Sequence, residues 1–216
     1  MIASKPQALL FDLGGVVIDI DFDRVFRAWQ PISRLSFQDI KRAFQCDAHY
    51  EQHERGEISA HDYFEHLSRT LDLNANCGQI AAGWNHIFVR EISETAQMVH
   101  AVRAQVPCYA FTNTNATHLL ACTSLFVNLT SSFDRVFASH EIGFRKPERR
   151  AFEHIAHAIG VPVASIMFFD DSLANVDGAT LAGLQAVHVS SPSDVRRALD
   201  AAGFALERPE DMALSR

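Results

Sequence analysis

The sequence predicts an α/β fold, in which a doubly wound parallel sheet carries an inserted helical cap domain. Short apolar runs alternate with helix-like segments along residues 93–202, which is the pattern of such sheets. An apolar run without polar alternation indicates a strand that is buried on both faces. Three of these runs end at polar side chains, namely Asp12, Thr112 and Asp170. Because ligands bind beyond the carboxyl ends of the strands in open α/β sheets, we expect the three ends to form one site.

The elements of the predicted core follow one another regularly after a first strand at residues 8–11. Further strands are expected at 107–112, 135–138, 165–170 and 184–190. Helices are expected at 93–105, 115–126, 148–159, 173–182 and 193–202. Strands that alternate with helices in this way belong to crossover connections, which join parallel strands.

A long segment with little strand pattern separates the first two core strands. A simple crossover needs only about a dozen residues with its helix, so we expect an insertion. Ser36 and Ser59 each stand three residues before an acid, as at the start of a capped helix. The helices of the insertion are expected at 22–29, 36–44, 59–71 and 76–88. The predicted domains are a catalytic core formed by residues 1–16 and 89–216 and a helical cap formed by residues 17–88.

The composition limits the partners of the chain. The formal net charge is −7, which argues against nucleic acid because its binders carry basic patches. No apolar stretch is long enough to span a bilayer, so no membrane partner is expected. The four cysteines lack C-x-x-C spacing and no secretion signal is visible, so we expect reduced thiols and a cytoplasmic protein. Both a monomer and a homodimer are compatible with the sequence.

Asp12 is the candidate nucleophile. A carboxylate at a strand end beside Gly14 and Gly15 leaves room for a ligand to approach the backbone. Such a carboxylate can attack phosphorus and form a covalent acyl phosphate. The paired acids Asp170 and Asp171 would add hard oxygen ligands, which Mg²⁺ prefers. The predicted substrate is therefore a small phosphorylated metabolite, with Mg²⁺ as the cofactor.

Other polar side chains complete the predicted site. Thr112 and Asn113 offer a hydroxyl and an amide to phosphate oxygens, and Gly14 is the third predicted phosphate-binding residue. Lys146 starts a helix after a loop and can neutralise the charge that develops on a transferring phosphoryl group. Asn175, four residues beyond Asp171, can orient the lysine or the acids.

With these motifs in this order, the chain resembles the haloacid dehalogenase superfamily. The matching segments are Phe11-Asp12-Leu13-Gly14-Gly15-Val16, Phe111-Thr112-Asn113, Arg145-Lys146-Pro147-Glu148 and Phe169-Asp170-Asp171-Ser172-Leu173-Ala174-Asn175. Two further segments resemble the α-D-glucose-1-phosphate phosphatase branch of this superfamily. They are Val17-Ile18-Asp19-Ile20-Asp21-Phe22 and His53-Glu54-Arg55-Gly56-Glu57-Ile58-Ser59. The resemblance implies a Rossmann-like core and Mg²⁺-dependent hydrolysis of a glucose 1-phosphate-like sugar phosphate through an aspartyl-phosphate. It also implies that the metal is held by Asp12, the backbone carbonyl of Gly14, Asp170 and Asp171, with Asp171 as the closer of the paired acids.

Gly14 departs from the pattern of the phosphatases that the chain resembles. Those enzymes usually carry a second aspartate there, which protonates the leaving alcohol and then activates water. General acid–base catalysis is worth about 10²–10⁴-fold, so we expect slow turnover of simple alkyl phosphates. A sugar 1-phosphate would offer a better leaving group. Alternatively, another side chain replaces the acid, and the candidates are Asp19, Asp21, His53 and Glu54.

Two other functions are open at this point. A 2-haloacid dehalogenase also lacks the second aspartate, but it attacks carbon and needs no metal, so the paired Asp170 and Asp171 argue against it. A non-catalytic phosphate-binding regulatory protein could dispense with a nucleophile, so the retained Asp12 and Lys146 argue against that function.

Several conspicuous side chains outside these motifs are expected to have structural roles. His53, Glu54 and Arg55 are interpreted as a solvated helix end. His154 and His157 are interpreted as surface or packing residues. Trp29 and Trp84 are interpreted as part of the core of the cap.

Overall fold

The structure, a computed structural model, describes residues 5–206. Its strands β1 to β7 span Ala8–Phe11, Ile18–Ile20, Phe88–Glu91, Cys108–Thr112, Arg135–Ala138, Ile166–Asp170 and Gln185–His188. Five of them form a parallel sheet in the order β5-β4-β1-β6-β7. Strands β2 and β3 form a separate antiparallel pair. The predicted α/β fold is confirmed, and the three strands with polar ends are the adjacent strands β4, β1 and β6.

The helices of the described residues lie on both sides of the sheet and in the segment between β2 and β3. Helices α1 to α12 span Phe22–Trp29, Phe37–Ala43, Ala48–Glu54, Ala60–Thr70, Cys77–Trp84, Ser93–Val102, Ala116–Leu125, Val127–Thr130, Ser139–Ile142, Arg149–Ile159, Leu173–Ala182 and Pro192–Ala201. Among residues 5–206, no helix is both long and apolar enough to cross a membrane. The predicted absence of a secretion signal falls partly on residues 1–4, which lie outside the described residues.

The central strand β1 shows why the apolar run is unbroken. Leu9 and Phe11 face one apolar cluster, whereas Ala8 and Leu10 face a second cluster on the other side of the sheet. All four side chains are fully buried, as the two-residue period of a strand requires when helices cover both faces. The ring of Phe11 stacks on that of Phe169 in the neighbouring strand, with centroids 4.6 Å apart.

Helices α1 to α5 have an apolar core of their own. Trp29 and Trp84 stack at its centre with ring centroids 5.5 Å apart, so the prediction that they form cap core is confirmed. The indole of Trp29 donates a hydrogen bond to the carbonyl oxygen of Ile80 at 3.0 Å. This cluster extends from Val25 to Ile87, within the cap domain of residues 17–88 that we propose, whereas Val17 and Ile18 at its start pack in the apolar cluster of the core.

Three elements in or beside the cap were not predicted from the sequence: β2, β3 and α3. Strands β2 and β3 have only three and four residues, which is too short for a clear periodic signal. Helix α3 lacks an aliphatic stripe, because the buried residues it contributes are His53 and Glu54. The predicted N-caps are present: Ser36 and Ser59 each accept a hydrogen bond from a backbone N–H three residues on.

Candidate active site

The ends of β1, β4 and β6 bring the predicted acids together. Asp12 follows β1, and its backbone N–H donates to the carbonyl oxygen of Phe169 in β6 at 2.8 Å. Asp170 ends β6, and Asp171 follows it. Carboxylate oxygens of Asp12, Asp170 and Asp171 lie within 4.8 Å of one another. The parallel register of the strands therefore produces the convergence that the sequence predicts.

Lys146 lies between two of these acids with only 1% of its surface exposed. Its Nζ lies 2.8 Å from Asp12 Oδ1 and donates to Asp170 Oδ2 at 2.8 Å and to the carbonyl oxygen of Phe111 at 3.0 Å. These contacts use all three donors of an ammonium group. Burial alone would lower the pKa of Lys146, but the charges of Asp12 and Asp170 outweigh it and raise that pKa. The lysine is therefore held in its charged form at the nucleophile.

Asn113 fixes the backbone of Lys146. Its Oδ1 accepts a hydrogen bond from the N–H of Lys146 at 2.8 Å, and its Nδ2 donates to the carbonyl oxygen of the same residue at 2.9 Å. The sequence predicts a phosphate-binding role for Asn113 and Thr112, and both residues do line the cavity above Asp12. The amide side chain of Asn113 is already used in positioning the lysine, which leaves the Thr112 hydroxyl as the freer side-chain donor.

The paired acids have different surroundings. Asp170 is fully buried and accepts hydrogen bonds from Lys146, from the Ser172 N–H at 2.8 Å, and from Asn175 at 3.0 and 3.1 Å. Asn175 thus orients an acid, in agreement with its predicted supporting role. Asp171 is exposed, and its carboxylate lies so close to Gly15 that a side chain there would collide with it. Gly15 also has a φ of +76°, which favours glycine.

The charges of the site fit a divalent cation. Three carboxylates share one ammonium group, which leaves two negative charges in excess. Burial raises the pKa of Asp12 to about 7, and the charges of Asp170 and Asp171 add to this rise, although Lys146 opposes it. Carboxylate and carbonyl oxygens are the ligands that Mg²⁺ prefers. The donor set of Asp12, Asp170 and Asp171 therefore suits the predicted metal.

A cavity of about 170 Å³ lies above Asp12, between the core and the cap. Gly14 forms part of its wall, and a Cβ added to Gly14 would lie 2.9 Å from Cδ1 of Ile20. The space in which an acidic side chain would begin is thus occupied by the end of an aliphatic side chain. Ile20 therefore packs against Gly14 in a way that a larger residue at position 14 would disturb.

A family model described as a haloacid dehalogenase-like hydrolase matches residues 6–183. The chain belongs to this family. Its membership confirms the predicted superfamily, and the chain is a hydrolase of the haloacid dehalogenase type.

Similar proteins include several phosphatases. The sesquiterpene phosphatase astK of Aspergillus oryzae is 28% identical over 189 residues, which cover 85% of this chain and 90% of that protein. The D-ribitol-5-phosphate phosphatase of Bacteroides thetaiotaomicron is 21% identical over 196 residues, which cover 88% of this chain and 95% of that protein.

Solved structures of the family share the fold. A variant of a family enzyme from Bacteroides thetaiotaomicron, in complex with magnesium and inorganic phosphate, superposes with a TM-score of 0.76 at 25% identity. That match covers 84% of this chain and 92% of the other. The L-2-haloacid dehalogenase of Xanthobacter autotrophicus has a TM-score of 0.62 at 21% identity, over 97% of this chain and 88% of the other, and shows the fold alone.

Of the four side chains that could replace the acid missing at Gly14, one lines the cavity. Asp19 pairs with Arg90 at 3.4 Å, and Asp21 caps α1. Neither of these lines the cavity, nor does His53, whose ring stacks on Tyr63. Glu54 does line it. Burial raises the pKa of the Glu54 carboxyl, although the Arg145 guanidinium, which donates to it at 2.8 Å, acts against this.

The interpretation of His53, Glu54 and Arg55 as a solvated helix end is wrong. His53 and Glu54 are each only 4% exposed, because α3 packs between α4 of the cap and α9 of the core. Arg55 pairs with Glu148, and Glu54 pairs with Arg145, so ion pairs join the cap to the segment around Lys146. The prediction that His154 and His157 lie on the surface is confirmed, since both are exposed on α10.

His118 lines the cavity and was not predicted from the sequence. Its Nε2 lies 3.1 Å from the carbonyl oxygen of Trp84, and its ring stacks on the indole of Trp84 with centroids 4.5 Å apart. A carbonyl accepts, so Nε2 carries the proton. Burial lowers the pKa of His118 to about 4, so its imidazole is neutral at physiological pH. A histidine inside a helical run carries no sequence signal for such a contact.

We expect His118→Phe to remove part of the acid sensitivity of folding. The pKa of His118 is lower in the folded chain than its unfolded value of 6.5, so the unfolded state binds the proton and stability falls as pH decreases through that range. Between about pH 7.5 and about pH 5 the wild type should lose about 2 kcal/mol more of its unfolding free energy than the variant. Phenylalanine keeps the ring stacking. Urea unfolding at both pH values measures the difference, and equal losses would contradict the account.

Proposed function

We propose that this hydrolase is a Mg²⁺-dependent phosphatase that acts on a small phosphate monoester through an aspartyl-phosphate on Asp12. The observation that carries the proposal is the position of Asp12. Its carboxylate lies 2.8 Å from the buried ammonium of Lys146 and within 4.8 Å of two further acids. A nucleophile, a fixed positive charge and a set of hard oxygen ligands are the groups that phosphoryl transfer requires.

The two oxygens of Asp12 have different neighbours. Oδ1 accepts a hydrogen bond from the Leu13 N–H at 2.7 Å and lies 2.8 Å from Nζ of Lys146. Oδ2 is therefore the oxygen that we assign to attack on phosphorus. As the new P–O bond forms, the ester P–O bond breaks and the alcohol oxygen leaves with the bonding electrons. Lys146 stabilises the charge on the phosphoryl group, and the Thr112 hydroxyl binds one of its oxygens.

The metal would be held by Asp12, the carbonyl oxygen of Gly14, Asp170 and Asp171. Bound there, Mg²⁺ would neutralise negative charge on the phosphoryl oxygens. Asp170 is already saturated with hydrogen bonds, so we propose Asp171 as the more direct of the paired ligands. In the second step water attacks phosphorus, the bond to Asp12 breaks, and inorganic phosphate is released.

The finer substrate and the cellular location are proposals too. The sequence predicts a sugar phosphate similar to glucose 1-phosphate, and this stays a prediction. Relatives are named for different substrates, D-ribitol 5-phosphate in one and a sesquiterpene in another. The four cysteines are free thiols in the structure, in keeping with the proposed cytoplasmic location. Both a monomer and a homodimer are compatible with the proposal.

The test of this function is phosphate release with and without metal. We expect the protein with Mg²⁺ to release phosphate from at least one ester in a panel of glucose 1-phosphate, ribitol 5-phosphate and phenyl phosphate. Chelation should remove most of this activity, and added Mg²⁺ should restore it, because Asp12, Asp170 and Asp171 otherwise share a single ammonium group, that of Lys146. Full activity in chelator would contradict the proposal. Halide release from 2-chloropropionate in chelator would favour the dehalogenase alternative.

A further inference from the structure

Two chemically different groups of side chains line the cavity above Asp12. The polar end is formed by Asp12, Asp171, Lys146 and Thr112, which belong to the phosphate and metal groups described above. The other group, called the upper wall here, is aliphatic and aromatic. It comes from β2, the start of α1, the segment entering β3, and α7, through the side chains of Ile18, Ile20, Phe22, Ile87, Phe88 and Leu119.

Three polar residues that line the cavity outside the polar end, Tyr50, Glu54 and His118, already have protein partners. Tyr50 shares a side-chain hydrogen bond with Glu54. Glu54 also accepts from Arg145 at 2.8 Å, and His118 directs its Nε2–H to the carbonyl oxygen of Trp84. A sugar placed here would lose the hydrogen bonds that its hydroxyls make with water and would gain few in return. Each hydroxyl left without a partner weakens binding.

The size of the cavity limits what it can hold. Its volume of about 170 Å³ is close to that of an engineered apolar cavity of about 150 Å³ that binds benzene. A phosphoryl group takes part of that volume, but the cavity is partly open to solvent, so it can also admit a compact hydrocarbon group, such as a single six-membered ring, whose outer edge reaches the opening. Such a group would bury the side chains of Ile20 and Leu119 without leaving a polar atom unpaired.

We propose that the upper wall of the cavity is a binding site for the hydrocarbon portion of a phosphate monoester, and that it selects a compact hydrocarbon over a sugar, in contrast to the glucose 1-phosphate-like substrate that the sequence predicts. The inference rests on the proposed phosphatase function and gives it a substrate class. The chemistry is unchanged: Asp12 attacks phosphorus, the ester P–O bond breaks, and the leaving alkoxide takes a proton from water to give an apolar alcohol. Ile20, in the space that an acid at Gly14 would need, extends the apolar wall to Gly14.

Two esters of the same ring size test the proposal on the native protein. Cyclohexylmethyl phosphate and glucose 6-phosphate both place a primary phosphate ester on a six-membered ring, but only the sugar carries hydroxyls and a ring oxygen. We expect kcat/KM to be at least about tenfold higher for the cyclohexyl ester, because an apolar pocket discriminates against an added hydroxyl by up to about 10²-fold. A preference for glucose 6-phosphate or glucose 1-phosphate would overturn the proposal and leave the phosphatase function standing.

A variant of Leu119 tests the wall directly. Leu119→Asn introduces an amide that a hydrocarbon cannot pair, and Leu119→Met is the matched apolar control. We expect the asparagine variant to lose about tenfold or more of kcat/KM for cyclohexylmethyl phosphate, and the methionine variant to lose much less. Inhibition by inorganic phosphate, which occupies only the polar end, should be the same in both variants. Equal losses in both variants would overturn the proposal.

A binding measurement separates this inference from the proposed function. If neither the esters nor acetyl phosphate, an anhydride with a better leaving group, releases phosphate, the phosphatase function fails. Calorimetry with cyclohexylmethyl phosphonate and methyl phosphonate, neither of which has an ester bond, still decides the hydrocarbon site. Tighter binding of the cyclohexyl compound supports the site, and equal binding of the two compounds overturns it.

Discussion

Asp12→Asn is expected to abolish turnover. The variant keeps the shape of the side chain but loses the nucleophilic carboxylate, so we expect kcat to fall by about 10⁴- to 10⁶-fold, as for enzymes that lose a covalent nucleophile. Acid quenching during turnover should trap a phosphoryl group on the Asp12 peptide of the wild type. The variant should show none, and mass spectrometry of the peptide provides the measurement.

The fold of this variant should survive, which separates loss of chemistry from loss of structure. Because burial and the neighbouring acids raise the pKa of Asp12 to about 7, its charged form is unfavourable in the metal-free protein. We therefore expect the metal-free variant to unfold at a temperature no lower than the wild type. Asp19→Asn is a matched control, since Asp19 pairs with Arg90 outside the cavity and should change kcat little. Substantial turnover by Asp12→Asn would show that another group attacks phosphorus.

The convergence of the site could be predicted from the sequence because it follows from the sheet. Asp12, Thr112 and Asp170 each stand at the end of an apolar run, and parallel strands present these ends at one edge. The lysine and Asn175 could be predicted from motif order. What the sequence does not carry is how the hydrogen bonds are shared, such as the use of both polar atoms of Asn113 on the backbone of Lys146.

The cap was predictable as helical, but its contacts with the core were not. Helix α3 has charged and polar side chains and therefore resembles a solvated helix. Its Glu54 is nevertheless buried, because Arg145, 91 residues later in the chain, donates a hydrogen bond to it. Such a contact depends on tertiary structure, so it cannot be predicted from a local pattern of residues. The prediction of surface exposure failed for that reason.

Gly14 illustrates the same limit at the centre of the site. The sequence shows that a carboxyl group is missing there, but not which atoms fill its place. The structure puts Cδ1 of Ile20 in that space, and Ile20 belongs to β2, an element of three residues that was not predicted. The absence of a carboxyl group at position 14 and the apolar wall formed by Ile20 are therefore linked. Substituting Gly14 and Ile20 together should change both.

The double variant Gly14→Asp/Ile20→Val is expected to gain activity towards simple alkyl phosphates. An aspartate at position 14 can protonate the leaving oxygen and later take a proton from water, which is worth about 10²–10⁴-fold. The single change Gly14→Asp should gain less, because its Cβ would lie 2.9 Å from Cδ1 of Ile20. Valine lacks that Cδ1 atom, at a stability cost of about 0.5–1.5 kcal/mol. The measurement is kcat/KM for a series of esters whose leaving alcohols differ in pKa.

The dependence of rate on leaving-group pKa distinguishes acid catalysis from a change in packing. Without a proton carrier, the wild type must expel an alkoxide, so its rate should fall steeply as the pKa of the alcohol rises. A general acid relieves that charge, so the double variant should show a shallower slope. Gly14→Asn/Ile20→Val has the same bulk without the acid and should keep the steep slope. If the asparagine and aspartate variants had the same slope, the slow turnover expected of the wild type could not be attributed to the absence of a carboxyl group at Gly14.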